Sequence, residues 1–410
     1  MGAAAVRAAA GALAAAGLGW TLWHGIAEPG NALAFGVLVA VGELARGGTP
    51  PGEREPAPLA AAGTLAYALL GDSGGQPTTH GVLQTVAVVV AGTLAGAVPH
   101  IARGRGPELD HLARRVLTAG FAAVCFQPLY NSGVWERAVG DGPRFALLLL
   151  LLTLLTALCD VVLAALTLHA RTRRPYGPLL RDELRALLGV GSAVRASGAV
   201  TTLAVAVAGL WALPALCGPL LLAQRSLRRY AAARTTCRQT VASLARATEI
   251  AGYTPPGHAH RVAVLSREVG RDLGLSEPDL TVVEYAALMH DIGQLSLVDP
   301  VPDGATALLP AAEQRRLALL GGAVVRRTGV PAAVAVVVER QADPYREQPL
   351  PARIVRTVNA YDDLCGERAS KALGALEQLR LGTARDHHPA VVESLARVLS
   401  RGGVAGPGPG

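Results

Sequence analysis

The sequence predicts an all-α protein in which an N-terminal bundle of membrane-spanning helices precedes a cytoplasmic, all-helical domain. Hydrophobic residues make up 51% and charged residues only 17% of the 410 residues, which is too apolar for a soluble protein of this length. Residues 1–224 are a chain of apolar stretches separated by short loops that contain Gly, Pro or Arg. From residue 251 onward, apolar residues recur with helical spacing between Gly and Pro breaks.

The membrane half, residues 1–224, is predicted to cross the bilayer about six to eight times, because each crossing helix needs about 20 apolar residues. The second and third of its apolar stretches are short and rich in Ala and Gly, so we expect them to be tilted, re-entrant or packed within the bundle. The stretches are Val6–Ile26, Asn31–Leu44, Pro58–Leu70, Gly81–Ile101, Val116–Tyr130, Phe145–Ala170 and Ala199–Gln224.

The orientation of the chain follows from Arg225, Arg228 and Arg229, which come directly after the last apolar stretch. Arg residues at the end of a span mark its cytoplasmic side. We therefore expect an integral cell-membrane protein whose C-terminal domain is cytoplasmic. Residues 225–250 predict a connecting helix, and such a helix can pair with a second copy in a homodimer.

The soluble half is predicted to be a domain of six or seven helices over residues 251–400, followed by a disordered tail at 401–410 that is rich in Gly and Pro. About 150 residues are enough to build a separate hydrophobic core. The predicted helical segments are His258–Gly274, Glu277–His290, Leu309–Thr328, Pro331–Arg340, Pro351–Leu364, Lys371–Leu381 and Pro389–Ser400.

Composition also excludes some functions. The net charge is +7, but only 4% of residues are aromatic, and no basic groove with interleaved aromatic residues is visible, so a nucleic-acid partner is not expected. The five cysteines are spread singly without a CxxC spacing, which argues against a thiolate zinc site and against a disulfide framework.

The residues that predict chemistry are His258, His290 and Asp291. Adjacent imidazole and carboxylate groups at the end of a helix offer nitrogen and oxygen ligands to a divalent metal, and a His from another helix completes the facing side. On pattern alone the His-Asp pair is equally consistent with a helix-end histidine that has only a structural role.

The segment GYTPPGHAHRV, followed by YAALMHDIGQ, resembles the HD superfamily of metal-dependent phosphohydrolases, and in particular its HD-GYP branch. The stretch PARIVRTVNAYDDL resembles the closing helix of that family, and the resemblance covers about residues 245–400. The matching positions are Tyr253, Thr254, Gly257, His258, Arg261, Val262, His290, Asp291, Ile292 and Gly293.

The resemblance implies a metal site. It places His258, His290 and Asp291 among the metal ligands, and it gives Asp291 the catalytic role of bridging the metals while a metal-bound hydroxide attacks phosphorus. The Asp that the closing helix supplies in active members is replaced by Asn359, which keeps an oxygen and loses the charge. Asp362 lies one turn later, and one hypothesis is that it substitutes as a ligand. The resemblance does not distinguish Mn, Fe, Mg and Zn.

Further departures from the family pattern indicate a reduced site or a lost one. Gln294 stands where the family usually has Lys, and Val337 and Val338 occupy the positions of a His pair in a later helix. The Gly-Tyr-Pro signature is reduced to residues 343–345. A complete site for two or three metals is therefore not expected.

Three functions remain open from the sequence. The first is a membrane-anchored signalling protein whose phosphohydrolase domain binds or hydrolyses a cyclic dinucleotide such as cyclic di-GMP, with Arg340 and Arg353 as candidate phosphate-binding residues. The second is a catalytically inactive HD-fold module coupled to a membrane sensor. The third is a transporter or channel, which rests on the spans and on Asp160 inside the strongest one, where an unpaired charge costs at least a few kcal/mol.

Overall fold

A computed structural model describes residues 2–46, 57–103, 109–140, 142–172, 176–301, 304, 306, 309–366 and 371–402. The chain forms two compact units, Met1–Ala231 and Ala232–Gly410. Within the described residues the only strands form one hairpin of two residues each, so the predicted all-α class is confirmed. The predicted tail at 401–410 lies outside the described residues except for Arg401 and Gly402.

The first unit is a bundle of helices, with the small hairpin between α3 and α4. The hairpin consists of β1 (Asp72–Ser73) and β2 (Gln76–Pro77). The helices are α1 (Gly2–His24), α2 (Pro29–Leu44), α3 (Pro58–Ala68), α4 (Val82–Ala102), α5 (Leu109–Asn131), α6 (Val134–Val139), α7 (Pro143–Thr172), α8 (Tyr176–Ala186), α9 (Ser192–Ala208) and the first part of α10 (Ala212–Ile250).

Four helical runs in the described part of the chain are long and apolar enough to cross a membrane: Gly2–His24, Val82–Ala102, Pro143–Arg171 and Ser192–Ile250. The last run joins α9 to α10 through a short 3-10 turn. Two further predicted spans correspond to α2, of 16 residues, and α3, of 11 residues. Both are shorter than the roughly 20 residues that a crossing needs.

Asp160 on α7 is paired with two arginines in the structure. Arg114 on α5 places Nη2 2.9 Å from Asp160 Oδ1, and Arg195 on α9 places Nη2 2.5 Å from Oδ2. These ion pairs supply the partners that a carboxylate needs in an apolar bundle. Asp160 is therefore a carboxylate at a helix interface that links three helices.

Within the described residues, the second unit contains the rest of α10 and seven further helices. A 3-10 turn at Ile292–Ser296 follows α12 directly. The helices are α11 (His258–Asp272), α12 (Glu277–Met289), α13 (Ala311–Val325), α14 (Ala332–Arg340), α15 (Leu350–Cys365), α16 (Ala372–Leu381) and α17 (Pro389–Gly402).

One hydrophobic core holds this unit together and includes the end of α10. Val241 and Ala245 are buried in it, in the predicted connecting segment. Val337 and Val338, which the resemblance aligns with a His pair, are buried in the same core and contribute packing. The core fixes α11, α12 and α15 against one another, and the candidate site lies where these three helices meet.

Candidate metal site

Three segments bring the candidate ligands together. His258 is the first residue of α11, and the left-handed Gly257 before it (φ 73°) turns the chain into the helix. His290 is the C-terminal cap of α12, and Asp291 is the first residue after it, before the 3-10 turn. Asn359 lies within α15. His258, His290, Asp291 and Asn359 are all buried, although they come from distant parts of the sequence.

Three donor atoms converge at the centre of the site. His258 Nε2 lies 3.3 Å from His290 Nε2, and Asp291 Oδ2 lies 3.4 Å from the first nitrogen and 3.2 Å from the second. With metal–ligand bonds of about 2.1 Å, neighbouring ligands are about 3.0 Å apart at right angles and about 3.4 Å apart in a tetrahedron. Asp291 Oδ2 has no aligned hydrogen bond within the described part of the chain. The triangle therefore fits one divalent metal ion.

Each ligand is oriented by a group on its far side. His290 Nδ1 donates a hydrogen bond of 2.8 Å to the carbonyl oxygen of Ala287, which directs the Nε2 lone pair into the site. Thr306 donates to Asp291 Oδ1 at 3.3 Å and leaves Oδ2 facing the imidazoles. Partners of this kind fix the tautomer and the direction of metal-binding side chains.

Asp362 orients His258 in the same way. Its Oδ2 accepts a hydrogen bond of 2.8 Å from His258 Nδ1, the nitrogen that points away from His290. Arg261 holds the carboxylate through two bonds, 3.0 Å from Nε to Oδ1 and 2.9 Å from Nη2 to Oδ2. The hypothesis from sequence made Asp362 a metal ligand, whereas the structure places it behind His258, as a positioning group.

Asn359 offers a fourth donor atom, an amide oxygen. Its Oδ1 lies 3.0 Å from His290 Nε2, on the same side as the converging donor atoms. An amide oxygen can ligate a divalent cation but carries no charge, so the described ligands supply a single negative charge through Asp291. The site is therefore suited to one metal ion more than to a charged cluster of two.

The electrostatics of the site also favour a cation. Burial lowers the pKa of His258, but its contacts with Asp291 and Asp362 raise that pKa to about 10. Burial also lowers the pKa of His290, but its contact with Asp291 raises that pKa above its usual value. Burial raises the pKa of Asp291, yet the two imidazoles hold it well below its usual range. Without metal, the raised pKa of His258 favours a proton on that imidazole.

This proton occupancy predicts that the free energy of unfolding falls with pH in the metal-free chain and changes much less in the metal-loaded chain. Above the ordinary pKa of 6.5 the unfolded chain has lost the proton that folded His258 keeps up to about pH 10. The free energy of unfolding of the metal-free chain should therefore fall as pH rises through this window. A metal ion competes with the same proton for His258, so metal affinity should rise as pH rises. Urea unfolding with EDTA and with Mn²⁺, between about pH 6.5 and pH 8.5, checks both trends. If the free energy of unfolding had the same pH dependence with EDTA and with Mn²⁺, the proton and the metal would not share one site.

A cavity of about 360 Å³ opens beside the donor atoms. Gln294, which is 1% exposed, and Arg356, one turn before Asn359 on α15, line this cavity. Within the described residues neither amide atom of Gln294 has a hydrogen-bond partner. An unpaired buried polar group costs about 1–3 kcal/mol, so this amide is stabilised only when something in the cavity pairs with it.

The two arginines predicted to bind substrate lie elsewhere. Arg340 contacts Asp343 at 3.1 Å, and Arg353 donates to the carbonyl oxygen of Gln348 at 2.8 Å. Neither is among the residues that line the cavity in the described structure. Arg356 is not among the residues predicted to bind substrate, although its spacing of three residues before Asn359 places both on nearly the same face of α15.

Comparison with known proteins gives one match. Residues 257–363 match the family model of the HD domain, a range that contains His258, His290, Asp291, Asn359 and Asp362. No curated protein matches the chain. No solved structure matches it either. The chain therefore contains an HD domain, and its three converging donor atoms lie inside the matched segment.

Proposed function

We propose that the HD domain at residues 257–363 is a single-metal phosphohydrolase that the first unit anchors to a membrane. One observation carries the proposal. His258 Nε2, His290 Nε2 and Asp291 Oδ2 lie 3.2–3.4 Å from one another, and each ligand is held from behind by its own hydrogen-bond partner. Such preorganisation is typical of a metal site and exceeds what a buried structural histidine requires.

The chain's residues have separate tasks in this proposal. His258, His290 and Asp291 hold the metal, with the Asn359 oxygen as a fourth ligand. A divalent ion there lowers the pKa of a water molecule and neutralises phosphate oxygens. Asp362 keeps the Nε2 lone pair of His258 directed into the site. The cavity admits the substrate on the side of His290 and Asp291.

The identity of the metal is not fixed by the donor set. Two imidazole nitrogens, one carboxylate and one amide oxygen suit Mn, Fe or Zn, and Mg is disfavoured because it prefers oxygen ligands. Sequence resemblance makes a cyclic dinucleotide such as cyclic di-GMP one candidate substrate within the wider class of phosphate esters.

The membrane anchor and the orientation are parts of the same proposal. The four long apolar helical runs support integral membrane attachment. Arg225, Arg228 and Arg229 support a cytoplasmic HD domain and hence a signalling role. A homodimer through residues 225–250 would use a face of α10 other than that of Val241 and Ala245, because those side chains are buried in the core.

Turnover tests the proposal. The full chain is purified in detergent, stripped with EDTA and reloaded with Mn²⁺, Fe²⁺, Zn²⁺ or Mg²⁺. Release of phosphate or of a cleaved ester is then followed with cyclic di-GMP, mononucleotides and a chromogenic phosphodiester. We expect cleavage that depends on metal, disappears in His258→Ala and survives in His260→Ala, since His260 is exposed on the same turn of α11.

The second candidate is a catalytically inactive HD-fold module. It is favoured by two neutral amides, Asn359 and Gln294, at positions where the resemblance implies Asp and Lys. The hydrolase requires a bound metal, whereas the inactive module is compatible with its loss. Metal binding without cleavage of any ester would exclude the hydrolase and support the inactive module.

The positioning role of Asp362 gives a separate prediction. Asp362→Asn removes the charge that orients His258 and turns amide hydrogens toward Arg261, so metal affinity should fall about 10–100-fold without being abolished. Titration with Mn²⁺ measures it. The matched control is Asp299→Asn, which removes an exposed carboxylate and should leave the affinity unchanged. A complete loss of metal in Asp362→Asn would make Asp362 a direct ligand.

A further inference from the structure

A buried polar cluster lies at one end of the helical bundle in the first unit. His80, which precedes α4, is fully buried, and its ring stacks on Tyr67 of α3 with the ring centroids 4.5 Å apart. Glu28, which precedes α2, places Oε2 3.6 Å from His80 Nδ1. Within the described residues neither of these two atoms has an aligned hydrogen bond. Folded proteins pair nearly all buried polar atoms, so two facing atoms without a partner call for a physical explanation.

The hydrogen bonds around His80 fix which ring nitrogen carries the proton. His80 Nε2 lies 3.1 Å from the carbonyl oxygen of Tyr67, which can only accept, so Nε2 donates to it. The amide nitrogen of Gln127 on α5 lies 3.1 Å from the same ring nitrogen, but it also contacts two backbone carbonyl oxygens, one for each of its hydrogens. A neutral His80 therefore presents a bare Nδ1 lone pair to Glu28.

The carboxylate of Glu28 is held in a matching orientation by Thr79. Its Oε1 accepts hydrogen bonds of 2.7 Å from the backbone N–H and 2.8 Å from the hydroxyl of Thr79, which leaves Oε2 facing the imidazole. Two lone pairs thus face each other across 3.6 Å. Both atoms are shielded from water, so the gap between them suits a proton and is closed to a larger cation.

Burial and hydrogen bonding act on this proton in opposite directions. Burial lowers the pKa of His80, whereas the Tyr67 carbonyl and Glu28 raise it, and the pKa stays below the ordinary value of 6.5. Glu28 is the charged group that faces the ring. The polar side chains on the helices packed around it are uncharged: Tyr67 of α3, Gln84 of α4 and Gln127 of α5. The gap is therefore empty at neutral pH and takes up a proton in acid.

The cluster lies at the end of α2 away from the arginines that close the last apolar stretch. Gln224 and Arg228 of α10 donate to the carbonyl oxygens of Gly42 and Ala45, at the C-terminal end of α2. Glu28 precedes the N-terminus of the same helix, and 16 residues span about 24 Å. In the membrane orientation proposed above, Glu28 and His80 therefore lie toward the non-cytoplasmic side.

We propose that Glu28 and His80 form a proton-binding site, through which the membrane half of the chain responds to acid on the non-cytoplasmic side. A proton taken up from water binds Nδ1, which then donates to Oε2 and ties the turn before α2 to the segment before α4. The hairpin lies in that segment, and its two central glycines donate to carbonyl oxygens near the end of α9 at 3.0 and 2.9 Å. The assigned side of the membrane rests on the proposed orientation, whereas the site itself rests on the contacts of Glu28 and His80.

Glu28→Gln tests the facing lone pairs. The Gln oxygen can keep both hydrogen bonds from Thr79, which places the amide nitrogen where Oε2 was and lets it donate to His80 Nδ1. The Tm of the full chain in detergent should therefore rise by about 2–4 °C at about pH 7.5, the shift that one net hydrogen bond gives. This gain should shrink at about pH 5, because the wild-type chain then carries the proton that the amide replaces.

Two comparisons isolate the pair. Asp182→Asn removes an exposed carboxylate of α8 and should change Tm equally at both pH values. In a His80→Gln background, Glu28→Gln should also act equally at both pH values, because the titrating ring is gone. If Glu28→Gln alone changes Tm by the same amount at both pH values, the proposal is overturned.

NMR of the chain with 15N-labelled histidine observes the proton itself. One imidazole, missing from the His80→Gln spectrum, should carry a proton on Nε2 alone at about pH 7.5 and gain a second on Nδ1 below the ordinary pKa of 6.5. In Glu28→Gln that gain should move to lower pH by about 1–3 units, the effect of losing a nearby opposite charge. A second proton already present at about pH 7.5, or an unchanged titration in Glu28→Gln, would overturn the proposal. Both measurements leave the metal site untouched, so the phosphohydrolase can stand if this proposal fails.

Discussion

Replacing His290 by alanine should abolish tight binding of a divalent metal. His290 Nε2 lies at the centre of the ligand set, 3.3 Å from His258 Nε2, 3.2 Å from Asp291 Oδ2 and 3.0 Å from Asn359 Oδ1. Loss of a supporting hydrogen bond typically lowers metal affinity about 10–100-fold, and loss of a ligand itself should lower it further. Titration of the full chain with Mn²⁺ measures the change, and phosphoester cleavage should disappear with it.

Two further variants exclude a general folding defect. His290→Gln retains a polar side chain and should keep the helical circular dichroism spectrum while it loses the metal. His260→Ala removes an exposed imidazole and should retain both metal and activity. If His290→Ala binds Mn²⁺ as tightly as the wild-type chain, the converging donor atoms are not the metal site.

Gly293→Ala should produce the largest loss of stability. A Cβ at this position would lie 2.1 Å from the carbonyl oxygen of Leu317 and 2.9 Å from the amide nitrogen of Gly321, both in the backbone of α13. Backbone atoms cannot move aside as a flexible side chain can, so we expect the upper end of the range of about 1–3 kcal/mol for overpacking. The transition of the second unit should fall by about 6–12 °C.

The same change should weaken the metal site, because Gly293 lies between Asp291 and Gln294 and α13 would have to move away from the turn that carries both. Thermal unfolding followed by circular dichroism, with a Mn²⁺ titration at low temperature, measures the two effects. Gly374→Ala is the matched control, since a Cβ there meets no atom within 4 Å and should raise stability slightly. An unchanged Tm in Gly293→Ala would contradict the close packing of α13.

Local sequence signals predicted the helices of the second unit well. Glu277–His290 was predicted, and α12 is Glu277–Met289 with His290 as its cap. Pro331–Arg340 was predicted, and α14 is Ala332–Arg340. Apolar periodicity and Pro or Gly breaks mark such boundaries because they act within a few residues. They predicted the all-α class for the same reason.

The roles of individual polar side chains were harder to predict. The one-turn spacing of Asn359 and Asp362 was apparent from the sequence, but which side of His258 each would contact depends on how α11 packs against α15. Arg340 and Arg353 are predicted to bind phosphate from residue type alone, whereas Arg356 lines the cavity. The unpaired amide of Gln294 follows from tertiary packing alone, which residue spacing does not encode.

The most direct test of the single-metal site is the metal content of the purified full chain, measured by elemental analysis after loading with Mn²⁺ and removal of excess ion. The three converging donor atoms and the neutral Asn359 predict one metal per chain in the wild type and none in His290→Ala. No metal in a folded wild-type chain, or two metals per chain, would contradict the account.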